Sequence, residues 1–422
     1  MLRAICFSLL AAGMALTGTR LSAAEPAAAA ARPQYGVLYT AWIKAGDPWA
    51  TVRIRLTRHP EWVRWMRFEI DPARYKGFKG EGGITQDGNT VLWKPPAADA
   101  WIQYKVLLTS QRQSGRYDGV VTDKWALFRA EDLVPVKRID YQDGTQSQAK
   151  LRLNVPEGWS IESPFPRYRS GRLKIDDPRG NFDRPAGWLL LGDLGVRRER
   201  IGNTRVAVGA PTGQGLRRMD IMAFFRWTLP TLQKVFPDFP ERILVVGADD
   251  PMWRGALSGP GSLYVHSDRP MISENATSTF IHELVHVAMR ARSGPQADWI
   301  VEGLAEYYSL EALHRSGTVS TARFEQAHRT LADWAAREAG PLDAPSSSGA
   351  TTARAVGVLR KVDAEIRAAS GGRQSLDNVA ADLAAQPKAI TLEMFRASAE
   401  RHAGRALASL QPAALKASPT AP

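Results

Sequence analysis

Short runs of alternating apolar and polar residues fill the chain from about residue 35 to residue 188. Residues 51–56 (TVRIRL) and 101–108 (WIQYKVLL) are of this kind, and residues 151–155 (LRLNV) end at Pro156-Glu157-Gly158-Trp159. Side chains two apart on a strand share a face, so each run predicts a half-buried strand. Asp87-Gly88-Asn89 and Asp143-Gly144 supply turns between such runs. Together they predict an antiparallel β domain with one face packed and one wet. Its many Trp and Tyr residues are read as core rather than as a carbohydrate platform.

The pattern changes after Trp188. Residues 189–192, 204–208 and 242–246 read as strands, and residues 215–235 as a helix despite Pro230. Residues 263–266 (LYVH) read as a short edge strand ahead of a helix that starts near Ser273 or Asn275, both good cap types, and stops at Gly294-Pro295. Beyond Tyr308 the pattern is helical. Residues 320–339, 353–369, 375–385 and 391–403 are helices, with Val356, Leu359, Val362 and Ile366 on one face of the second. Residues 341–352 form a loop, and the tail after Leu410 is expected to fray. The fold class is α+β and multidomain: a β-rich domain over residues 34–188, a mixed domain over 189–340 and a helical domain over 341–422.

The first residues read as a secretory signal over 1–24. Arg3 gives the positive start, residues 4–16 an apolar stretch too short to span a bilayer, and Ser22-Ala23-Ala24 a cleavage site. An Ala/Pro-rich tether over residues 25–33 follows. The mature chain is thus expected in the periplasm or the medium, without a transmembrane segment. The one cysteine, Cys6, lies in the leader, so disulfides, thiolate ligands and a cysteine nucleophile are excluded from the mature chain. Any metal must be held by His and carboxylate. The net charge of +12 could favour anionic partners. Its charges are dispersed along the sequence, and the densest cluster, Arg197-Arg198-Glu199-Arg200, is interrupted by an acid. A solvated surface is the expected reading, and nucleic acid is not an expected partner.

The chemistry is concentrated in residues 279–308, which open with His282-Glu283-Leu284-Val285-His286, the pattern H-E-x-x-H. On a helix, residues four apart point the same way, so both imidazoles can meet one metal ion. Glu283 lies about 100° round the helix from His282, where it reaches a metal-bound water rather than the metal. The chain has only seven His, which makes a chance pair at this spacing improbable. Two His leave a zinc site one protein ligand short. The metzincin pattern would place Gly and His at positions occupied here by Met289 and Arg292, so that class is excluded. Glu302, in Trp299-Ile300-Val301-Glu302-Gly303-Leu304-Ala305-Glu306-Tyr307, can complete a His₂Glu site with one position left for water, since the turn at Gly294-Pro295 folds a second helix back on the first. Glu306, one turn later, is placed to accept the free N–H of a ligating His, or else is a surface acid.

H-E-x-x-H followed by E-G-x-A-x-Y resembles the gluzincin zinc peptidases, the superfamily of thermolysin and the aminopeptidases. Within it the chain is most similar to the glycyl aminopeptidase family, through residues 106–135 and 151–160 in the β domain and 363–379 in the helical domain. The resemblance implies a thermolysin-like catalytic domain over residues 189–340 and a peptide or protein substrate. It implies one Zn²⁺ held by His282, His286 and Glu302, with Glu283 as general base on the zinc-bound water. The chain departs from the family twice. Where the family has a Tyr that stabilises the oxyanion, the matching residues are Thr352-Ala353-Arg354-Ala355, and no Tyr follows Tyr308. Arg354, His266 and Tyr264 are the candidates for that role. The expected edge strand, residues 261–266, also lacks the carboxylate with which family exopeptidases bind an amino terminus, although it can pair with an extended peptide. The leading reading is an exported zinc metallopeptidase, endo- or exo-acting. The alternative is a lapsed peptidase fold that binds metal or peptides in an envelope or scaffolding role.

Overall fold

The computed structural model describes residues 32–176 and 182–416. The expected leader, and all but the last two residues of the expected tether, lie outside them. Three sheets build the β-rich part. A six-stranded sheet runs in the order Leu173–Ile175, Gln146–Asn154, Gln34–Trp42, Trp49–Arg58, Trp101–Leu107, Tyr75–Gly80. The alternation fixes its inner face: Val52, Ile54 and Leu56 are buried with Ile102, Tyr104 and Val106 in one core, shared with Met66, Phe68 and Trp93 of a four-stranded sheet. The expected antiparallel pairing holds for most neighbours. Gln34–Trp42, however, pairs parallel with Gln146–Asn154, a connection between distant segments that local turn signals do not reveal.

The third sheet has the order Ser160–Glu162, Trp188–Gly192, Trp125–Arg129, Tyr117–Val121, Ser110–Gln111. Trp188–Gly192 is buried on both faces. Leu189 and Leu191 enter the β core, while Trp188 and Leu190 meet Leu244, Val246 and Tyr264 of the next sheet. The strand therefore belongs with the β-rich sheets, and the change of sheet follows Gly192 rather than Trp188. An unbroken apolar run, WLLLG, is what a strand covered on both sides requires.

The next sheet has the order Leu194–Ile201, Thr204–Pro211, Arg242–Val246, Ser262–Val265, Ala256–Gly259. Ser262–Val265, read from the sequence as the edge, is second from it. The edge is Ala256–Gly259, antiparallel to it, and the two are joined through Pro260-Gly261, with Gly261 at φ 62°. The sequence ALSG, with a single large apolar residue, is too short for periodicity to mark as a strand.

Seven helices carry most of the remainder: α1 (Arg218–Val235), α2 (Thr279–Met289), α3 (Asp298–Arg315), α4 (Thr321–Glu338), α5 (Ala350–Ser370), α6 (Leu376–Ala384) and α7 (Leu392–Ala403). Pro230 sits inside α1. One apolar core extends from Ile201 to Leu410 and takes in all seven. The helices after residue 340 thus share the core of the region before it, because the stripe Val356, Leu359, Val362, Ile366 packs inward with α3 and α4. A Cβ on Gly303 would meet the Ala355 Cβ at 2.8 Å, so the absent side chain sets how closely α3 lies on α5. Among the described residues no helix is long and apolar enough to cross a membrane.

Candidate metal centre

α2 begins later than the sequence suggests. Residues 273–277 close a turn of their own, with the Ser273 N–H bonded to the Thr277 carbonyl (2.8 Å) and Ala276 at φ 57°. Ser278 is the cap and accepts from the Ile281 N–H. The helix ends at Met289, before Gly294-Pro295, where Arg290 turns left-handed at φ 50°. Phe280, Ile281, Leu284, Val285 and Ala288 are buried on one side, leaving His282 and His286 partly exposed together on the other.

α3 presents Glu302, Glu306 and Ser309, spaced i, i+4, i+7, toward α2. Ser309 clamps the helices together. Its hydroxyl accepts from the buried Ser278 N–H (2.7 Å) and donates to the Ser278 carbonyl (3.2 Å). The loop between them is fixed by Asp298, whose carboxylate accepts from the Ser293 hydroxyl (2.9 Å) and the Ser347 N–H (2.7 Å). The spacing from Glu302 to Ser309 is visible in the sequence, but nothing there signals that Ser309 reaches the cap of α2.

Among the described residues, one group of His, Cys, Asp and Glu side chains can converge on a metal: His282, His286 and Glu302, each offering an atom within 4.8 Å of the others. The separations are 3.2 Å between the two Nε2 atoms, 3.3 Å from His282 Nε2 to Glu302 Oε2, and 3.4 Å from His286 Nε2 to Glu302 Oε1. A tetrahedron with ligand bonds of about 2.0–2.1 Å has edges of about 3.3–3.4 Å, so the donor set fits zinc in both chemistry and size. His282 Nδ1 lies 3.0 Å from Glu306 Oε2, which fixes the ring and leaves Nε2 facing the site.

Electrostatics bind the group tightly. Burial disfavours a charged His282, but the Glu302 and Glu306 carboxylates outweigh it and push the imidazole up to about 10. Burial would raise Glu302, but the imidazoles of His282 and His286 hold its carboxyl well below the usual range. A cation that replaces the imidazole protons would find a site already organised for positive charge. Glu283 is nearly buried beside His282, and among the described residues its carboxylate accepts no hydrogen bond from the protein.

The three oxyanion candidates have other partners. The buried Tyr264 donates its hydroxyl to the Trp253 carbonyl (2.6 Å) and packs on Trp188, on the face toward the β-rich sheets. His266 is buried, with Nδ1 accepting from the Asp268 N–H (3.2 Å) and Nε2 3.4 Å from Asp250 Oδ1. Arg354 lies within α5 and donates to the carbonyls of Gly340 (3.0 Å) and Leu415 (2.7 Å). The structure does not bring any of them into the His282, His286, Glu302 group. The true edge strand, Ala256–Gly259, carries no acid either.

No family model and no curated protein matches this chain. Solved structures do. An aminopeptidase N family protein from Idiomarina loihiensis aligns with a TM-score of 0.64 at 14% identity, covering 82% of this chain and 70% of that one. A point mutant of an M1 zinc metallopeptidase from Deinococcus radiodurans, solved with a bound Tyr-Ser-Ala substrate, aligns with a TM-score of 0.59 at 15% identity, covering 93% and 95%. The chain has the fold of the M1 zinc metallopeptidases. Legionella pneumophila aminopeptidase A, solved with aspartic acid, is similar over 92% of this chain but 49% of its own, with a TM-score of 0.54 at 11% identity. These likenesses carry the architecture expected of a gluzincin and do not reach the narrower glycyl aminopeptidase resemblance.

Proposed function

We propose that this protein is a zinc-dependent peptidase, exported to the periplasm or the medium. In it His282, His286 and Glu302 hold one zinc ion and Glu283 is the general base. The observation that carries the reading is the convergence of two imidazoles and a carboxylate at the edge lengths of a zinc tetrahedron, with Glu283 next to them on the same helix turn. Bound there, zinc would supply Lewis acidity toward the scissile carbonyl and lower the pKa of a water to about 7. The carboxylate of Glu283 takes a proton from the attacking water and delivers it to the departing amine nitrogen. Glu306 keeps the His282 proton on Nδ1, so that Nε2 is available as a ligand. The strand Ala256–Gly259, at the open edge of its sheet, gives an extended peptide backbone a line of hydrogen-bonding groups.

A scaffolding role for a lapsed peptidase would need neither Glu283 nor the orienting Glu306, and both are in place. Metal analysis of the purified protein tests the proposal together with cleavage of a peptide mixture read by mass spectrometry. Zinc at one equivalent is expected, with cleavage that stops on chelation and returns with zinc. Since the edge strand has no carboxylate to bind an amino terminus, acetylated peptides are expected to be cut as well as free ones. Cleavage that persists in metal-free protein would overturn the reading.

A further inference from the structure

The positive charges that are dispersed in the sequence are gathered by the fold. None of the six strands of the largest sheet contains an Asp or a Glu. With most of their apolar residues turned to the core, the outward positions are mainly cations, amides, hydroxyls and indoles, with Leu38 and Leu107 among them. In register, one row across five strands reads Arg152, Thr40, Arg53, Gln103, Lys79. The rows on either side hold lysines directly opposite each other, Lys150 with Lys174 and Lys105 with Lys76. Like charges in that position destabilise a sheet. Among the described residues, Arg55 reaches Asp99 and Lys174 reaches Asp176, both beyond the strands, while Lys76, Lys79, Lys105 and Arg152 have no acidic partner. Three indoles are interleaved with the cations. Arg53 lies 4.7 Å from the Trp101 ring and 5.7 Å from Trp42, and Lys76 lies 3.6 Å from Trp49.

A merely solvated face mixes both signs. The four-stranded sheet of the same domain does so, with Glu69, Asp87 and Asp140 among its basic residues and the pairs Arg64–Asp140 and Lys137–Glu69. We propose that the outer face of the six-stranded sheet is a docking surface for an anionic lipid bilayer. The charges spread in two dimensions, over about 24 Å across the strands and, in three successive rows, about 13 Å along them. A single polymer strand tracks a line or a groove, whereas an array of phosphate headgroups presents charge over an area. Indoles beside cations also suit the boundary between headgroups and acyl chains.

The test is co-sedimentation of the full chain with vesicles of phosphatidylcholine, with and without phosphatidylglycerol, at low and high salt. Binding is expected only with phosphatidylglycerol and only at low salt. The variant K76E/K105E/K150E is expected to lose on the order of a hundredfold in apparent affinity. A control of equal charge change on exposed lysines elsewhere, K234E/K361E/K388E, is expected to keep most of the binding. Thermal melts confirm that both variants are folded. Absence of vesicle binding at low salt, or equal losses in the two variants, would overturn the proposal. So would binding to heparin or duplex DNA without binding to vesicles, which would assign the face to a linear polyanion. None of these outcomes depends on peptide cleavage, so the surface and the metal centre stand or fall separately.

Discussion

Glu306 works through another residue: its carboxylate orients the His282 ring and makes that imidazole more basic. Glu306→Ala is expected to weaken zinc binding about 10- to 100-fold while leaving the three ligands in place, as read by competition with a chelator. His282 itself makes a proton prediction. In the metal-free protein its imidazole is pushed up to about 10, so below that pH zinc must displace a proton. Affinity is therefore expected to climb about tenfold per pH unit through the neutral range, with a proton released on binding. Calorimetry in buffers of different ionisation enthalpy measures that release directly. At this scale the sequence was informative where a helix fixes geometry. The spacing of His282 and His286, and of Glu302 and Glu306, needs only the helix repeat. Tyr264, His266 and Arg354 were not legible in the same way. Their partners, the Trp253 carbonyl, Asp250 and the Gly340 carbonyl, come from tertiary packing that no local spacing encodes.

The relation between α2 and α3 is the element on which the site depends, and two small residues control it. Ser309→Ala leaves the Ser278 N–H buried without its partner. It is expected to cost about 1–3 kcal/mol in denaturant unfolding, and more in zinc affinity than an exposed serine change would. Gly303→Ala improves helix propensity, but its Cβ falls 2.8 Å from the Ala355 Cβ and 3.1 Å from Leu359 Cδ1. A net loss of about 1–3 kcal/mol is expected, because α5 must shift to admit the methyl group. Most helices could be placed from periodicity and caps, as Ser320, Ser375 and Thr391 illustrate. The start of α2 could not, since Ser273 and Asn275 are as good cap types as Ser278 and only the clamp from Ser309 distinguishes them. The edge strand Ala256–Gly259 was illegible because four residues, three of them small, carry no period.

At the scale of the whole molecule, His328 is a contributor to acid sensitivity in the shared helical core. His328 is nearly buried, with its ring against Phe324 at 4.5 Å, and burial together with Arg360 pulls its imidazole down to about 4. A group depressed on folding supports the native state above its unfolded value, about 6.5, and that support is lost as pH falls through the folded value. Stability is therefore expected to fall by about 3 kcal/mol between pH 6.5 and pH 4 on this account. His328→Phe should flatten that slope in urea titrations at successive pH values. The broad architecture, strands first and helices last, could be read from the change of period near residue 190. The shared core of the later helices and the collection of cations on one sheet face could not, because both depend on which distant segments become neighbours.

In the proposed mechanism Glu283 moves the proton in a zinc-dependent hydrolysis. Glu283→Gln keeps the shape of the residue and removes its basicity, so the direct measurement is peptide cleavage by this variant and by the unmodified protein at equal, verified zinc content. Both are expected to bind zinc equally, with the variant slower by a factor on the order of 10²–10⁴. Equal cleavage rates with zinc bound in both would contradict that role for Glu283.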